Sequence, residues 1–256
     1  MPLKLGTRIF APRLFTTLLA FSLLVLLVSL GRWQLRRAEQ QRSLFEGFAA
    51  GADATRPLDA GTPPLPRFQH VAATGRYDQA RQVLIDDMVS ADGRAGYYVL
   101  TPFALSGGGW VLINRGWVPL GRSRADRPDV AVAETARTLR GRTDHLPSPG
   151  IRMGHPAVPR PPFPVVATYP TVTELEGLLH ESEWSKATEV VLLDADQPDG
   201  FLRQWSAPGF PPIRHVAYAV QWFGLALTLA VIYVVTNCRR TAMAPVTGTV
   251  AQDSQQ

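Results

Sequence analysis

The chain has 256 residues, 46% of them apolar, a net charge of +5 and a single cysteine. One cysteine excludes an intrachain disulfide, so a folded domain must be held by its own core. The basic excess is spread along the chain, with no long cationic run and no nucleic-acid motif; this argues against a nucleic-acid partner and for membrane flanks and a solvated surface.

The first element is the apolar run 14–30. About 20 helical residues at ~1.5 Å each cross the ~30 Å hydrocarbon core of a bilayer. The run is short for that, but residues 9–15 extend it, with Arg13 near the interface, where long cationic side chains snorkel. Lys4, Arg8 and Arg13 precede it as in a secretory leader. The run is long for a leader, and "GRWQLRRAEQ" follows it without a small-x-small cleavage site, so an uncleaved anchor is expected. Leu35, Leu44, Phe45 and Phe48 keep a helical spacing among charges and carry the helix outward to about Ala50. The Pro- and Gly-rich stretch 52–66 reads as a loop.

Strand-like runs follow: "QHVAATGRYD", "RQVLIDDMV", "GYYVLTPFAL", "GWVLINRGWVP" and the weaker "TARTLRGRTD". The third and fourth flank "SGGG" and make the clearest hairpin. Residues 144–164 hold seven prolines and are irregular over most of their length. "TVTELEGLLHESE" predicts a short helix, with Thr173 and Glu176 at capping-box spacing. "ATEVVLLDAD" and "GFLRQW" close the sheet. Short strands, hairpin turns and few helices predict an α+β domain with a mainly antiparallel sheet.

The last element is the apolar run 216–235, long enough to span, with His215 at its mouth and Gln221 within it. Two spans put both termini on one side. Arg239 and Arg240 favour a cytoplasmic C-terminus, as Lys4, Arg8 and Arg13 do for the N-terminus. Arg32, Arg36, Arg37 and Arg42 oppose this, but long segments translocate largely regardless of charge. The expected division is a cytoplasmic tail (1–13), a transmembrane helix (14–31), a periplasmic α+β domain (32–214), a second transmembrane helix (215–236) and a cytoplasmic tail (237–256). A bacterial inner membrane is the simpler home.

Enzyme signatures fail. There is no G-x-S-x-G, no Walker loop and no zinc-type His/Cys spacing, and the one cysteine lies at a membrane face. No metal site is expected: His145 and His155 in the Pro-rich loop read as solvated. "INRGW" has two readings, a structural bulge or a recognition edge in which Asn114, Arg115, Gly116 and Trp117 meet a partner. At the membrane mouths, antiparallel helices would bring Trp33 and Gln34 to the depth of His215 and Tyr218. His215, Tyr218, Gln221, Trp222 and Leu225 share one broad helix face. Polar groups at that depth need partners, so the face should meet the other helix, a protein or a ligand. An interfacial aromatic belt and an axial haem or metal ligand are both compatible with the pattern.

"LGRWQLRR", "VAATGRYD", "GYYVLTPF", "VLINRGWVP" and "RHVAYAVQWFGLA", in that order between two terminal apolar helices, resemble the surfeit-locus-one family of cytochrome c oxidase assembly factors. The resemblance covers most of the chain. It implies a non-catalytic, two-pass factor that assists haem a delivery to the catalytic subunit of cytochrome c oxidase, alongside other assembly factors. The alternative is a scaffold of the same assembly line that does not touch haem. The family's histidine matches His215, a candidate axial ligand, with Trp33, Tyr218 and Trp222 near it as haem contacts. Gln34 and Gln221, with Asn114, Arg115, Gly116 and Trp117, are candidate partner contacts. The sequence departs from the family at Gln40 and Gln41, where a Trp–Lys pair is common.

Overall fold

The computed structural model describes residues 3–5, 8–10, 12–51, 54–123, 126–148, 159–181 and 183–240. Its elements are β1 (Leu3–Leu5), β2 (Arg8–Phe10), α1 (Leu14–Ala50), β3 (Arg56–Leu58), β4 (His70–Tyr77), β5 (Val83–Val89), β6 (Ala95–Leu105) and β7 (Trp110–Pro119). Then come β8 (Arg137–Asp144), β9 (Val165–Ala167), α2 (Val172–Leu179), β10 (Val190–Leu193), α3 (Pro212–Asn237) and β11 (Cys238–Arg240). The chain divides into two compact units, one of Met1–Arg42 with Gly209–Gln256, the other of Ser43–Pro208.

The first unit is a helix pair with a small three-stranded sheet of β1, β2 and β11. Both helices are long and apolar enough to cross a membrane, and only 6% and 11% of their apolar windows are buried, so neither is a core helix of a soluble protein. They run antiparallel. Thr17 Oγ1 lies 2.7 Å from Tyr233 Oη, and Gln41 Nε2 donates to the Phe210 carbonyl at 2.9 Å. The seam is built from small residues seven apart, Gly31 and Ala38 on α1, Ala219 and Ala226 on α3, all buried. Apolar helices gain little from leaving lipid for each other, so close backbone approach supplies their attraction. Gly31 shows how close: a Cβ there would sit 2.7 Å from the Phe223 ring.

The second unit is a closed barrel. Its strands follow the order β4-β8-β10-β7-β6, and β6 pairs back onto β4. β3 extends the sheet beyond β4; β5 and β9 extend it beyond β6. The interior takes alternate residues from all five barrel strands, among them Val71, Phe103, Ile113, Leu139 and Val191. The opposite faces of β7 and β10, with Leu112, Val190 and Leu192, pack under Leu175, Leu178 and Leu179 of α2. β10 is therefore buried on both sides, which is why "VVLL" shows no polar alternation.

The sheet is mixed rather than mainly antiparallel. The ladders β3–β4, β5–β9 and β7–β10 are parallel. Hairpin reasoning sees only sequence neighbours. β7 and β10 are joined by a long crossover through β8, β9 and α2, and such crossovers return a strand in the same direction. β3 forms inside the stretch read as a loop, while "GFLRQW" makes only one bridge, Leu202 to Trp117. The α2 capping box is Thr171 with Glu174, not Thr173 with Glu176: Glu174 N donates to Thr171 Oγ1 at 3.2 Å, and Thr171 N to Glu174 Oε2 at 2.7 Å. Starting the helix there turns Leu175, Leu178 and Leu179 inward together. The "SGGG" turn is a hairpin turn, with Gly108 and Gly109 at φ +91 and +78.

Barrel closure depends on Gly75, which pairs with Leu105 where β4 meets β6. A Cβ at Gly75 would run into the Ala104 carbonyl and the Phe103 ring. Gly75→Val should cost at least about 2 kcal/mol by overpacking. Thermal unfolding of the full chain in detergent, followed by circular dichroism, measures it; an unchanged midpoint would show that closure does not need this glycine.

Candidate functional site

Two places carry the residues singled out by sequence. The first is the mouth of the helix pair. α3 begins at Pro212, where a fixed φ suits the first helical turn and the missing N–H costs nothing. Arg214 stacks over the Phe210 ring at 4.8 Å. His215 follows, half-buried, with Nδ1 2.9 Å from Gln34 Oε1 on α1. Antiparallel packing thus brings Gln34 to His215. With the amide oxygen as acceptor, Nδ1 is the donor in this contact.

Beyond His215, the expected face of α3 does not turn to α1. Ala219, Phe223 and Ala226 do, because only small residues admit the close approach at Gly31. Trp222 is half-buried beside the seam; Tyr218 and Gln221 are exposed, as is Trp33 on α1. The structure joins His215 to Gln34 and leaves these aromatic side chains open on the helix surfaces. Gln41 stands where the sequence departs from the family's common pattern. It is buried in the seam on the Phe210 carbonyl. Its spacing of seven from Gln34 and three from Ala38 was the available signal.

The second place is "INRGW" on β7. Asn114 and Trp117 oppose Leu100 and Tyr98 on β6, so β7 carries one residue more than its partner between those pairs. That is a β-bulge, with Gly116 at φ +113. Asn114, Arg115 and Trp117 are buried, at 2%, 2% and 4% exposure. These side chains are largely enclosed, as the structural-bulge reading expects, while Asn114 and Trp117 still back shallow surface depressions. Asn114 Oδ1 accepts from Gly116 N at 3.0 Å, and Trp117 Nε1 donates to the Met88 carbonyl at 3.1 Å.

Arg115 is the unusual member. Its guanidinium donates to Asp199 O at 2.7 Å, Val130 O at 2.8 Å, Gln82 Oε1 at 2.9 Å and Ala131 O at 3.3 Å. The Phe201 and Tyr77 rings stand 4.9 and 5.6 Å from it. No carboxylate pairs with it among the described residues. Burial pulls its pKa down to about 10, which still leaves it charged at neutral pH. Burial also pushes the Tyr77 phenol up, against the pull of Arg115, Arg137 and Arg203. Thr101 Oγ1, at 3.5 Å, is a fifth acceptor, and a planar fork serving acceptors in different directions is not replaceable by an ammonium.

His145 lies 3.1 Å from Glu189 Oε1 in an exposed pair, and His155 is outside the described residues.

Fold and site define a class: a small mixed barrel set in sequence between two terminal apolar helices that pair through small residues, with a histidine–glutamine contact at their mouth. The SURF1 family profile matches residues 21–227, and the chain belongs to that family, which is linked to cytochrome oxidase assembly. It is similar to a SURF1-like protein of Rickettsia felis, 25% identical over 237 residues covering 86% of this chain and 96% of the relative. A SURF1-like protein of Rickettsia conorii is 25% identical over 241 residues, 89% of this chain and 93% of the relative.

Arg115→Lys should keep the charge but leave several acceptors unserved, lowering stability by about 2–4 kcal/mol. A loss under about 0.5 kcal/mol in denaturant unfolding of the full chain would show that the carbonyl cradle does not hold the bulge.

Proposed function

We propose that this chain is a membrane-anchored assembly factor of cytochrome c oxidase that presents haem a, as cargo, through His215. Both helices span a bacterial inner membrane, both termini are cytoplasmic, and the barrel domain is periplasmic. The length and exposure of the two helices support the spans: an exposed apolar surface of this kind needs lipid. The chain performs no covalent step of its own on this reading.

The observation that carries the reading is the 2.9 Å contact between His215 Nδ1 and Gln34 Oε1. A histidine that ligates iron through one nitrogen needs the other held by an acceptor, which fixes ring and tautomer. Gln34 does this from the neighbouring helix. The donor chemistry therefore fits a haem iron, for which a neutral imidazole is a good axial ligand. The half-buried Trp222 ring, beside the seam, and the exposed Tyr218 ring supply apolar faces near the ligand. A weak, single-ligand hold suits a carrier, which must release what it binds. The scaffold alternative drew on "INRGW" and on the helix faces; the burial of the motif leaves it the exposed helix faces.

The test is an absorption spectrum of the detergent-purified protein from cells that make haem a. The wild type should show a Soret band and His215→Ala should lose it, both with the same melting temperature. Gln34→Leu should weaken haem affinity about 10–100-fold, the usual cost of losing a supporting partner. A deletion strain whose oxidase keeps its full haem a content would refute the carrier reading.

A further inference from the structure

The barrel unit carries a surface feature unrelated to the helix mouth. Three depressions adjoin one another along it. The first, of about 460 Å³, is walled by Trp110, Trp184, Val172 and Leu175. The second, of about 790 Å³, is lined by Met88, Tyr98, Tyr169, Leu192 and Trp205. The third, of about 180 Å³, lies against Val89, Trp117 and Leu202. The first and second share Arg67, Asp144 and His145; the second and third share Val89, Tyr98, Gln204, Trp205 and Ser206. Through these shared walls the three depressions lie side by side, and together they are called the groove.

Composition sets this groove apart. Four of the six tryptophans line it, Trp110, Trp117, Trp184 and Trp205. Among the described residues of 43–208, the exposed large hydrophobics are Val89 at 59% and Leu202 at 40%, and both flank the third depression. Trp and Tyr anchors with exposed apolar neighbours are the composition of a protein–protein interface. Two irregularities shape it. The β5 bulge between Ile85 and Met88 sets Asp87, at φ +67, on the wall of the second depression, and Asn114 of the β7 bulge lines the same one. Bulges of this kind re-aim side chains beside binding sites.

Charge decides the kind of occupant. Asp87, Asp144, Glu176 and Glu189 line the groove against the permanent cations Arg67 and Lys186, in a chain whose overall charge is +5. Arg67 is committed to Asp144 at 2.5 Å, whereas Asp87 and Glu176 enter no ion pair among the described residues. The groove is acidic on a basic protein. Its shape decides the rest. An extended polypeptide puts successive side chains on opposite faces at ~3.3 Å per residue, so alternate side chains fill successive pockets. A compact ligand would occupy one depression and leave the others empty.

We infer that this groove docks an extended polypeptide segment of a partner protein in which basic and large apolar residues alternate. Its basic side chains meet Asp87 and Glu176 and its apolar ones lie on Tyr98, Trp205 and Val89. The groove lies wholly within residues 43–208 and does not depend on His215 or on haem.

The experiment selects random nonapeptides displayed on phage against the full chain in phosphatidylcholine nanodiscs, prepared without haem a and precleared on empty discs. Enriched peptides should carry Arg or Lys alternating with Leu, Phe or Trp. Their affinity should fall at least tenfold for Asp87→Asn with Glu176→Lys, and again for Val89→Ser with Leu202→Ser. The composition of the peptides is itself a test, independent of how the variants fold. Three results would overturn the inference: no enrichment over empty discs, an acidic consensus, or equal binding by folded variants.

Discussion

The barrel is organised around a buried charge that no carboxylate pairs among the described residues. Arg115 is fully buried, and an isolated cation in a core is expensive unless every donor is met. Here carbonyls and a glutamine amide meet them, and two aromatic faces supply further favourable field. Those acceptors come from residues 82, 130, 131 and 199, which include segments with no ladder of their own. One guanidinium thus ties two irregular stretches to the barrel wall. Regular alternation from Ile113 already turns Arg115 inward; the extra residue of the β7 bulge then moves Trp117 to the face of Leu112, under α2.

The helix pair obeys a different constraint. Its seam holds because side chains are absent from it, not because they interlock: Gly31, Ala38, Ala219 and Ala226 let the backbones approach. Polar contacts then mark both ends and give the pair its register, Thr17 with Tyr233 at one end, Gln34 with His215 and Gln41 with Phe210 at the other. That register places a histidine nitrogen against an amide oxygen and leaves the other nitrogen without a hydrogen bond among the described residues. The carrier function proposed for the chain depends on it.

Much of the sheet was legible because hairpins write themselves locally. Alternation and glycine turns show β6 and β7 at once, and "VAATGRYD" reads as a strand. β3 and β9, of three residues each, carry no period to detect, and they exist only because a longer strand offers them an edge. The capping box is ambiguous by two residues in sequence, because the pattern T-x-x-E occurs twice in "TVTELE". Which copy caps is settled by which register buries three leucines. At the helix mouth the sequence put Trp33 and Gln34 at the depth of His215 and Tyr218, since antiparallel helices of known length align there; the choice of Gln34 as the partner of His215 came from the structure. Arg115 was not readable as buried, because an arginine beside a glycine and a tryptophan looks the same at an interface as in a core.

By itself the sequence determined the two apolar helices, the helical run out to Ala50, the central hairpin and the family. All of these rest on local periodicity or on short motifs in a fixed order, which survive without knowledge of distant contacts. The tertiary structure alone decided the closure of the barrel, the parallel pairing of β7 with β10, the inward turn of Arg115 and the groove beside it. Each of those joins residues far apart in the chain, and strand direction, burial and the sharing of walls between pockets are properties of such pairs rather than of any stretch of sequence.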